Sequence, residues 1–330
     1  MPSDKLPRVA WLGLGNIGLA VCKNLAKYGP TNGPVTVWNR THQKAADLAA
    51  ESDAFVAATD LADVVSSSDI ICLCLVDDAA VAQVLDDAIR ATSVKGKLFV
   101  DFSTVHPDTA AAQADKLPRH GAEYLASPSE YKGRHTTTTM NVADGLLQNT
   151  VFGGVPLAVD RLITLVLAGS AQAIEQFTPF TDGVICKSTI LLVDEPCEQA
   201  SLLKLIGNFI RFSTIEVLCE ASVLSEKLGM GQETLSKFVE ALIPGPAAGQ
   251  LRMLNSGSYH SEKKPMIPIS MAVKENNHLN DLAQRNGVKL KTLETVTHHT
   301  NSVTAKRGAD ANLLAIYGSI REDSGLPFEN

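Results

Sequence analysis

The stretch "RVAWLGLGNIGLAVCKNLAKYG" (Arg8–Gly29) decides the fold, because an apolar run, a glycine-rich turn and a helical pattern follow one another directly. Gly13, Gly15 and Gly18 have the spacing G-x-G-x-x-G. The first glycine of this motif permits a tight turn, the second lets the backbone approach a pyrophosphate, and the third lets the helix pack closely on the strand. The N–H groups and the positive dipole end of the helix then face the phosphates. The stretch therefore predicts a dinucleotide-binding strand, turn and helix.

The next predicted strand, "VTVWNRT" (Val35–Thr41), bears on the choice of coenzyme. An NAD site usually carries Asp or Glu near the end of this strand to hold the ribose hydroxyls. Asn39, Arg40 and Thr41 take that place here. Arg40 is suited to a 2′-phosphate through charge-assisted hydrogen bonds, and no carboxylate repels that phosphate. The pattern favours NADP over NAD, while a surface arginine without a ligand is the simpler interpretation.

Strand and helix patterns alternate through the rest of the first half. We expect a helix over His42–Glu51, a strand in "DIICLCLVD" that ends at Val76–Asp77, and a helix over about Ala79–Ala91. This alternation predicts a parallel, doubly wound α/β sheet, whose ligands bind at the carboxyl ends of the strands.

The segment "KLFVDFSTVHPDTA" places Ser103 and Thr104 at such a strand end. Their hydroxyl and backbone N–H groups suit a carboxylate at a helix start. The structural alternative is that these residues cap the helix that follows Pro107, and the two roles are compatible.

Composition excludes several classes of partner. The chain has 330 residues, of which 45% are apolar and 20% charged, and its net charge of -7 argues against nucleic acid or an anionic membrane as a partner. No apolar run approaches the ~20 residues of a membrane span. The first strand begins at Arg8 or Val9, so we expect no leader peptide. Six scattered cysteines lack zinc-site spacing, and we expect reduced cysteines, no metal and a cytoplasmic setting.

A polar stripe runs along an apolar helix in "ASLLKLIGNFIRF" (Ala200–Phe212). Ser201, Lys204, Asn208 and Arg211 recur at three- and four-residue spacing, which stacks them on one face. The simple interpretation is the wet face of an amphipathic helix. The functional interpretation is a proton donor, because burial disfavours the charged form of an amine and so eases release of its proton.

Four segments in order, "GLGNIG", "WNRT", "DFSTVHP" and "KLIGN", resemble the β-hydroxyacid dehydrogenases, which include 3-hydroxyisobutyrate dehydrogenases and, more distantly, 6-phosphogluconate dehydrogenase. The resemblance implies an N-terminal Rossmann-type domain (1–194) and an all-helical C-terminal domain (195–330), joined by a long helix, in a homodimer or homotetramer. It also implies that Lys204 is the catalytic lysine and that Asn208, one turn later, orients the substrate.

The same resemblance assigns two sets of binding residues. The coenzyme set comprises Gly13, Gly15, Asn16, Ile17, Gly18, Asn39, Arg40, Thr41, Val76, Asp77, Thr104 and Lys274. The substrate set comprises Ser103, Thr104, Phe152, Gly153 and Gly154.

The chain departs from the family pattern in the substrate loop. Phe152 in "VFGG" replaces a serine that commonly contacts the substrate, and Lys274-Glu275 stands where relatives usually have Lys-Asp. Removal of Ser129–Thr150 joins "EYLASP" to "VFGGVP" and restores the uninterrupted pattern. This insertion is either a surface excursion or a translated intron, and we favour the intron.

The second half reads as further helices in "QETLSKFVEAL", "PISMAVKENNHLNDLAQRNG" and "LKTLETVTHHTNSVTAKRG", with breaks at 244–249 and 255–268. His298 and His299 are adjacent and therefore point about 100° apart on a helix, so we expect a solvated helix face rather than a metal pair.

These patterns together predict an NADP-preferring oxidoreductase that acts on CH–OH groups. It would interconvert a β-hydroxy acid and its semialdehyde or keto partner by hydride transfer, with Lys204 as general acid and base. The partner would be a small substrate that bears a carboxylate. Two alternatives stay open, an imine reductase-like NADPH enzyme and a catalytically inactive NADP-binding scaffold. Phe152 and the insertion are compatible with the inactive scaffold, whereas Lys204 argues against both alternatives.

Overall fold

A computed structural model of the chain describes residues 5–130, 155–243, 245–262, 265 and 267–330. The described residues form two compact units, of which the first contains residues 5–130 and 155–204 and the second contains residues 205–330. The division falls inside one long helix, between residues 204 and 205. The domain boundary at residue 194 stays a prediction. The glycine loop Phe152–Gly154 and residues 131–150 of the insertion lie outside the described residues.

The first unit consists of a sheet with helices. Its strands are β1 (Val9–Leu12), β2 (Val35–Trp38), β3 (Phe55–Ala57), β4 (Ile70–Leu73), β5 (Leu98–Asp101), β6 (Glu123–Ala126), β7 (Ser129–Glu130), β8 (Thr164–Gly169) and β9 (Ser188–Val193). Its helices are α1 (Asn16–Tyr28), α2 (His42–Glu51), α3 (Leu61–Ser67), α4 (Asp78–Ala91), α5 (Pro107–Arg119), α6 (Val155–Val159) and α7 (Ala171–Phe177), and α8 (Glu198–Lys227) begins in this unit.

The strand order is β3-β2-β1-β4-β5-β6-β8-β7, and β9 pairs with β8. The strands from β3 to β6 run parallel, whereas β6 and β8 pair antiparallel. Leu12 at the end of β1 lies between Trp38 of β2 and Leu73 of β4. Because the chain order reverses between β1 and β4, a crevice for a ligand is expected outside the carboxyl ends of these two strands.

The sheet is buried on both faces, which explains why β1 is apolar throughout. Val9 and Trp11 point into one hydrophobic cluster, and Ala10 and Leu12 point into the other, as the two-residue period of a strand requires. This unit confirms the predicted Rossmann-type sheet, and helix α2 has the predicted bounds.

The described residues of the second unit form helices that are joined by turns and loops, and they contain no strand. The unit contains the rest of α8 and α9 (Gln232–Leu242), α10 (Pro246–Asn255), α11 (Ser258–Ser261), α12 (Ile269–Arg285), α13 (Lys291–Arg307) and α14 (Ile316–Asp323). The predicted fold class is therefore confirmed, and α9 has the predicted bounds. Within the described part of the chain, no helix combines the length and the apolar character that crossing a bilayer requires.

The predicted break at 244–249 is wrong from residue 246 onwards, because α10 begins at Pro246. Gly245 makes the preceding turn with a φ of 93°. Proline is well tolerated in the first turn of a helix, where its missing N–H would have no partner in the helix. Gly245 and Pro246 therefore start a helix here rather than interrupt one.

Candidate functional site

The three glycines of the turn between β1 and α1 differ in how much space surrounds them. Gly13 has a φ of 97°, and a Cβ there would lie 2.3 Å from the carbonyl oxygen of Cys74. A Cβ on Gly18 would lie 2.5 Å from the carbonyl oxygen of Gly13. A Cβ on Gly15 would meet nothing within 4 Å. The fold therefore requires Gly13 and Gly18, whereas the space beside Gly15 is free for a ligand.

The first turn of α1 offers backbone N–H groups to that space. Gly15 is the N-cap residue of α1, and no side chain caps the helix there. Gly15 and Asn16 are exposed, whereas Ile17 packs partly against the core. N–H groups at an uncapped helix N-terminus form a ready anion site. The residues present therefore fit a dinucleotide pyrophosphate.

The end of β2 is tied to this turn by Asn39. The Asn39 Oδ1 accepts a hydrogen bond of 2.9 Å from the Leu14 N–H, and its Nδ2 donates to the carbonyl oxygen of Thr41 over 3.0 Å. Asn39 thus fixes the loop that carries Arg40. Both Arg40 and Thr41 are exposed, so the Arg40 guanidinium lies on the surface at the carboxyl end of β2.

The strand predicted to end at Val76–Asp77 ends earlier, since β4 stops at Leu73. The reason is that the Leu75 N–H donates to Ser103 Oγ over 2.8 Å instead of continuing the ladder. Val76 is 67% exposed beyond the strand. The Asp77 carboxylate accepts from the Ala80 N–H over 2.8 Å and so caps α4.

The end of β5 contains a buried carboxylate that the sequence analysis did not single out. Asp101 is 1% exposed, and its two oxygens accept from the Ser103 N–H (2.8 Å) and the Tyr124 hydroxyl (2.9 Å). Burial raises the pKa of Asp101 to about 6, although the hydrogen bonds from Ser103 and Tyr124 oppose this rise. Asp101 directly precedes "FST" in the sequence, and an acidic residue that ends a buried strand was a usable signal.

Ser103 and Thr104 do not cap the following helix, so the capping alternative is wrong. Helix α5 begins at Pro107, and the His106 Nδ1 accepts from the Asp108 N–H over 3.2 Å as the cap. Ser103 is buried at 3% exposure and Thr104 is half-buried. The loop therefore presents Thr104 rather than Ser103 towards its surface.

The polar stripe of α8 is its more buried side, so the interpretation as a wet face is wrong. Ser201 and Asn208 are 3% and 4% exposed, and Lys204 and Arg211 are half-buried. The apolar residues on another face are exposed instead: Leu203 (36%), Ile206 (51%), Ile210 (61%), Val217 (56%) and Leu224 (59%). A buried polar stripe requires partners for its polar groups.

Within the second unit, Asn208 has such a partner. Its Nδ2 donates to the Glu275 Oε2 over 2.6 Å, and Glu275 is 2% exposed. Because the carboxylate takes the amide nitrogen, the orientation of the Asn208 side chain is fixed. Glu275 follows the half-buried Lys274 on α12. Sequence reasoning noted Glu275 only as a departure from the family pattern.

The histidine pair on α13 differs from the expectation of a solvated face. His298 is exposed, but His299 is 8% exposed, with its Nδ1 2.6 Å from the Glu216 Oε1. Burial lowers the pKa of His299, but the Glu216 carboxylate, together with those of Asp323 and Glu220, outweighs this effect and holds the pKa above its usual value. The sequence could not reveal Glu216, which comes from α8. Ligand atoms of His298, His299 and Asp323 lie within 4.8 Å of one another.

Comparison with known proteins places this geometry among oxidoreductases. Residues 8–130 match the family of NAD-binding domains of 6-phosphogluconate dehydrogenase. The NADH-dependent oxidoreductase ucdB of Aspergillus ustus is 33% identical over 313 residues, which cover 94% of this chain and 98% of that protein.

Two solved structures share the fold at low identity. The 3-hydroxyisobutyrate dehydrogenase of Mycobacterium tuberculosis has a TM-score of 0.76 at 19% identity, over 96% of this chain and 100% of that one. An imine reductase of Myxococcus stipitatus in complex with NADP+ has a TM-score of 0.58 at 20% identity, over 95% and 99% of the two chains.

Proposed function

The chain belongs to the β-hydroxyacid dehydrogenase family and is an NAD(P)-binding oxidoreductase, and on this premise we propose that it is an NADP-preferring enzyme acting on a small carboxylate-bearing substrate. It would interconvert a β-hydroxy acid and its semialdehyde or keto partner. The observation that carries the proposal is the polar stripe of α8, where the half-buried Lys204 and the buried Asn208 stand one turn apart on the more buried side of the helix.

The coenzyme would lie over the Gly13–Gly18 turn, with its pyrophosphate at the start of α1. When bound, it supplies the hydride and accepts it back in the reverse direction. The opening beside Gly15 supports this placement, because the backbone can approach a phosphate there. Asn39 holds the loop on which Arg40 would meet a 2′-phosphate.

Lys204 would act as the general acid in reduction. A carbonyl oxygen gains negative charge as its carbon is reduced, and a proton from the Lys204 Nζ would neutralise that charge. In oxidation the same nitrogen would take the proton from the hydroxyl. Such proton transfer is typically worth about 10²–10⁴-fold in rate.

Asn208 would orient the substrate for this proton transfer. Its amide nitrogen donates to Glu275. The amide oxygen therefore points away from Glu275 and would accept a hydrogen bond from a hydroxyl or ammonium group. Thr104 and the backbone of Gly153 and Gly154 would hold the carboxylate. Phe152 would give the pocket an aromatic wall where relatives have a hydroxyl.

NADPH oxidation against a panel of carbonyl compounds tests this proposal. The panel contains carboxylate-bearing semialdehydes, glyoxylate, matched aldehydes without a carboxylate and cyclic imines. We expect turnover only with carbonyl compounds that carry a carboxylate. Turnover of the cyclic imines alone would instead support the imine reductase alternative, and coenzyme binding without turnover of any compound would support the inactive scaffold.

We also propose that a second copy of the chain covers the exposed apolar face of α8. Leu203, Ile210, Val217 and Leu224 recur every seven residues on that face, and all four are at least 36% exposed. A contiguous apolar stripe of this kind marks an association surface. The expected mass in light scattering is that of a homodimer or homotetramer, and a monomer would contradict this proposal.

A further inference from the structure

Two loops at the carboxyl edge of the sheet are joined by side-chain hydrogen bonds. The loop after β4 donates its Leu75 N–H to Ser103 Oγ in the loop after β5, over 2.8 Å. A second link runs in the opposite direction, since the His106 N–H donates to the Asp78 Oδ1 over 2.7 Å. The two loops therefore hold each other at a fixed separation.

Ser103 is in turn anchored by the buried carboxylate of Asp101. The Ser103 N–H donates to the Asp101 Oδ1 over 2.8 Å. Tyr124 on β6 holds the other oxygen of Asp101 over 2.9 Å. Ser103, Asp101 and Tyr124 are all at least 96% buried, so these hydrogen bonds are shielded from competition with water.

This arrangement uses the backbone donor of Ser103 and a lone pair of its hydroxyl oxygen. A serine has one hydroxyl hydrogen and one backbone N–H to donate. The Asp101 carboxylate takes the backbone N–H, and the Leu75 N–H occupies a lone pair of the hydroxyl oxygen. A substrate carboxylate needs hydrogen-bond donors, because it can only accept. Ser103 is also only 3% exposed, whereas Thr104 is half-buried, so a ligand at the loop surface reaches the Thr104 hydroxyl rather than that of Ser103.

We infer that Ser103 is a positioning residue rather than a substrate ligand. Together with Asp101 it forms a clip between the loops after β4 and β5, and thereby places Thr104 towards the substrate and the Val76–Asp77 segment towards the coenzyme. This inference rests on the proposed function, since it concerns how the same site is built. The hydroxyl that faces a ligand is then that of Thr104 and not that of Ser103.

A double-mutant cycle between Ser103→Ala and Asp101→Asn tests the clip. Asparagine keeps one carbonyl acceptor but cannot accept at its nitrogen. The readouts are the Kd for NADPH in the absence of substrate, by fluorescence, and the KM for the carboxylate substrate. Thr104→Val is the matched control, because it removes a hydroxyl from the same loop.

We expect Ser103→Ala to raise the Kd for NADPH about fivefold or more, since it leaves the partly buried Leu75 N–H without its acceptor. Asp101→Asn should have a similar effect, and the double variant should exceed the larger single effect by no more than about twofold, because both changes break one unit. Thr104→Val should instead leave the Kd for NADPH within about twofold and raise the substrate KM, because it removes a hydroxyl without breaking the clip.

The inference is overturned if Ser103→Ala leaves the Kd for NADPH unchanged and raises the substrate KM equally in both Asp101 backgrounds. Should Ser103→Ala not fold, Ser103→Cys, with its weaker donor and acceptor, gives an intermediate variant for the same cycle. A wild-type chain that binds neither NADPH nor NADH overturns the proposed function instead. In that case the same cycle is measured by the free energies of unfolding of the two single variants and the double variant. Additive losses of unfolding free energy would still refute the clip.

Discussion

Replacement of Gly15 by alanine should separate coenzyme binding from folding. Gly15 has a φ of -73° and a ψ of 179°, a conformation that alanine adopts without strain. Its added Cβ would meet no protein atom within 4 Å. The methyl group would instead project into the space where we place the coenzyme pyrophosphate.

The expected magnitudes follow from these two facts. Alanine is a poorer N-cap residue than glycine, but it also lowers the entropy of the unfolded chain, so the free energy of unfolding should change by less than about 1 kcal/mol. Loss of one charge-assisted contact between backbone and phosphate would cost about 1.5–3 kcal/mol of binding, which corresponds to about 10- to 150-fold in Kd.

Gly13→Ala is the matched contrast, because its Cβ would lie 2.3 Å from the Cys74 carbonyl oxygen at a φ of 97°. We expect this variant to lose about 2–5 kcal/mol of folding free energy. Fluorescence titration with NADPH and urea denaturation measure both quantities for both variants. The reasoning is refuted if Gly15→Ala binds NADPH as the wild type does, or if Gly13→Ala is as stable as the wild type.

Three further variants test other parts of the account. Arg40→Asp should shift the ratio of kcat/KM for NADPH over NADH by at least about tenfold towards NADH, because a carboxylate repels the 2′-phosphate and binds the ribose hydroxyls; an unchanged ratio would remove Arg40 from the site. Asp101→Asn tests a pH dependence: the pKa of Asp101 is raised to about 6 by burial, with the Asp78 charge adding to the rise, so the folded state holds that proton more tightly than the unfolded state. The stabilisation that the Asp101 proton gives the folded state is therefore present below about pH 4 and lost as the pH rises through 6. The difference in free energy of unfolding between wild type and variant should change by about 3 kcal/mol over this range in urea denaturation. A difference that stays constant with pH would contradict this. Ile210→Lys should lower the mass in light scattering to that of a monomer, with a folding cost within about 0.5 kcal/mol because Ile210 is 61% exposed; an unchanged mass would argue against the α8 surface.

Local patterns predicted the elements of the fold well. The strand, turn and helix around Gly13–Gly18, and the bounds of α2 and α9, follow from apolar periodicity and glycine chemistry that act over a few residues. The end of β4 was misplaced, because Ser103, 28 residues later in the chain, takes the Leu75 N–H that would extend the ladder. Periodicity carries no information about such a distant partner.

The candidate site was less accessible to sequence reasoning for the same reason. The stripe of Lys204 and Asn208 was visible as a pattern, but whether it faces water depends on packing that the helix itself does not determine. Glu275 and Tyr124 contribute through contacts across 67 and 23 residues of sequence. Such partners follow only from a three-dimensional arrangement.

The central claim is that the Lys204 ammonium delivers the proton to the substrate oxygen, and its most direct test is the steady-state turnover of Lys204→Met with saturating NADPH and the best carbonyl substrate. Methionine keeps the length and packing of the side chain but has no proton to give. The account predicts that kcat falls about 10²–10⁴-fold while the Kd for NADPH stays within about twofold of the wild type. Turnover within tenfold of the wild type, at unchanged coenzyme affinity, would contradict it.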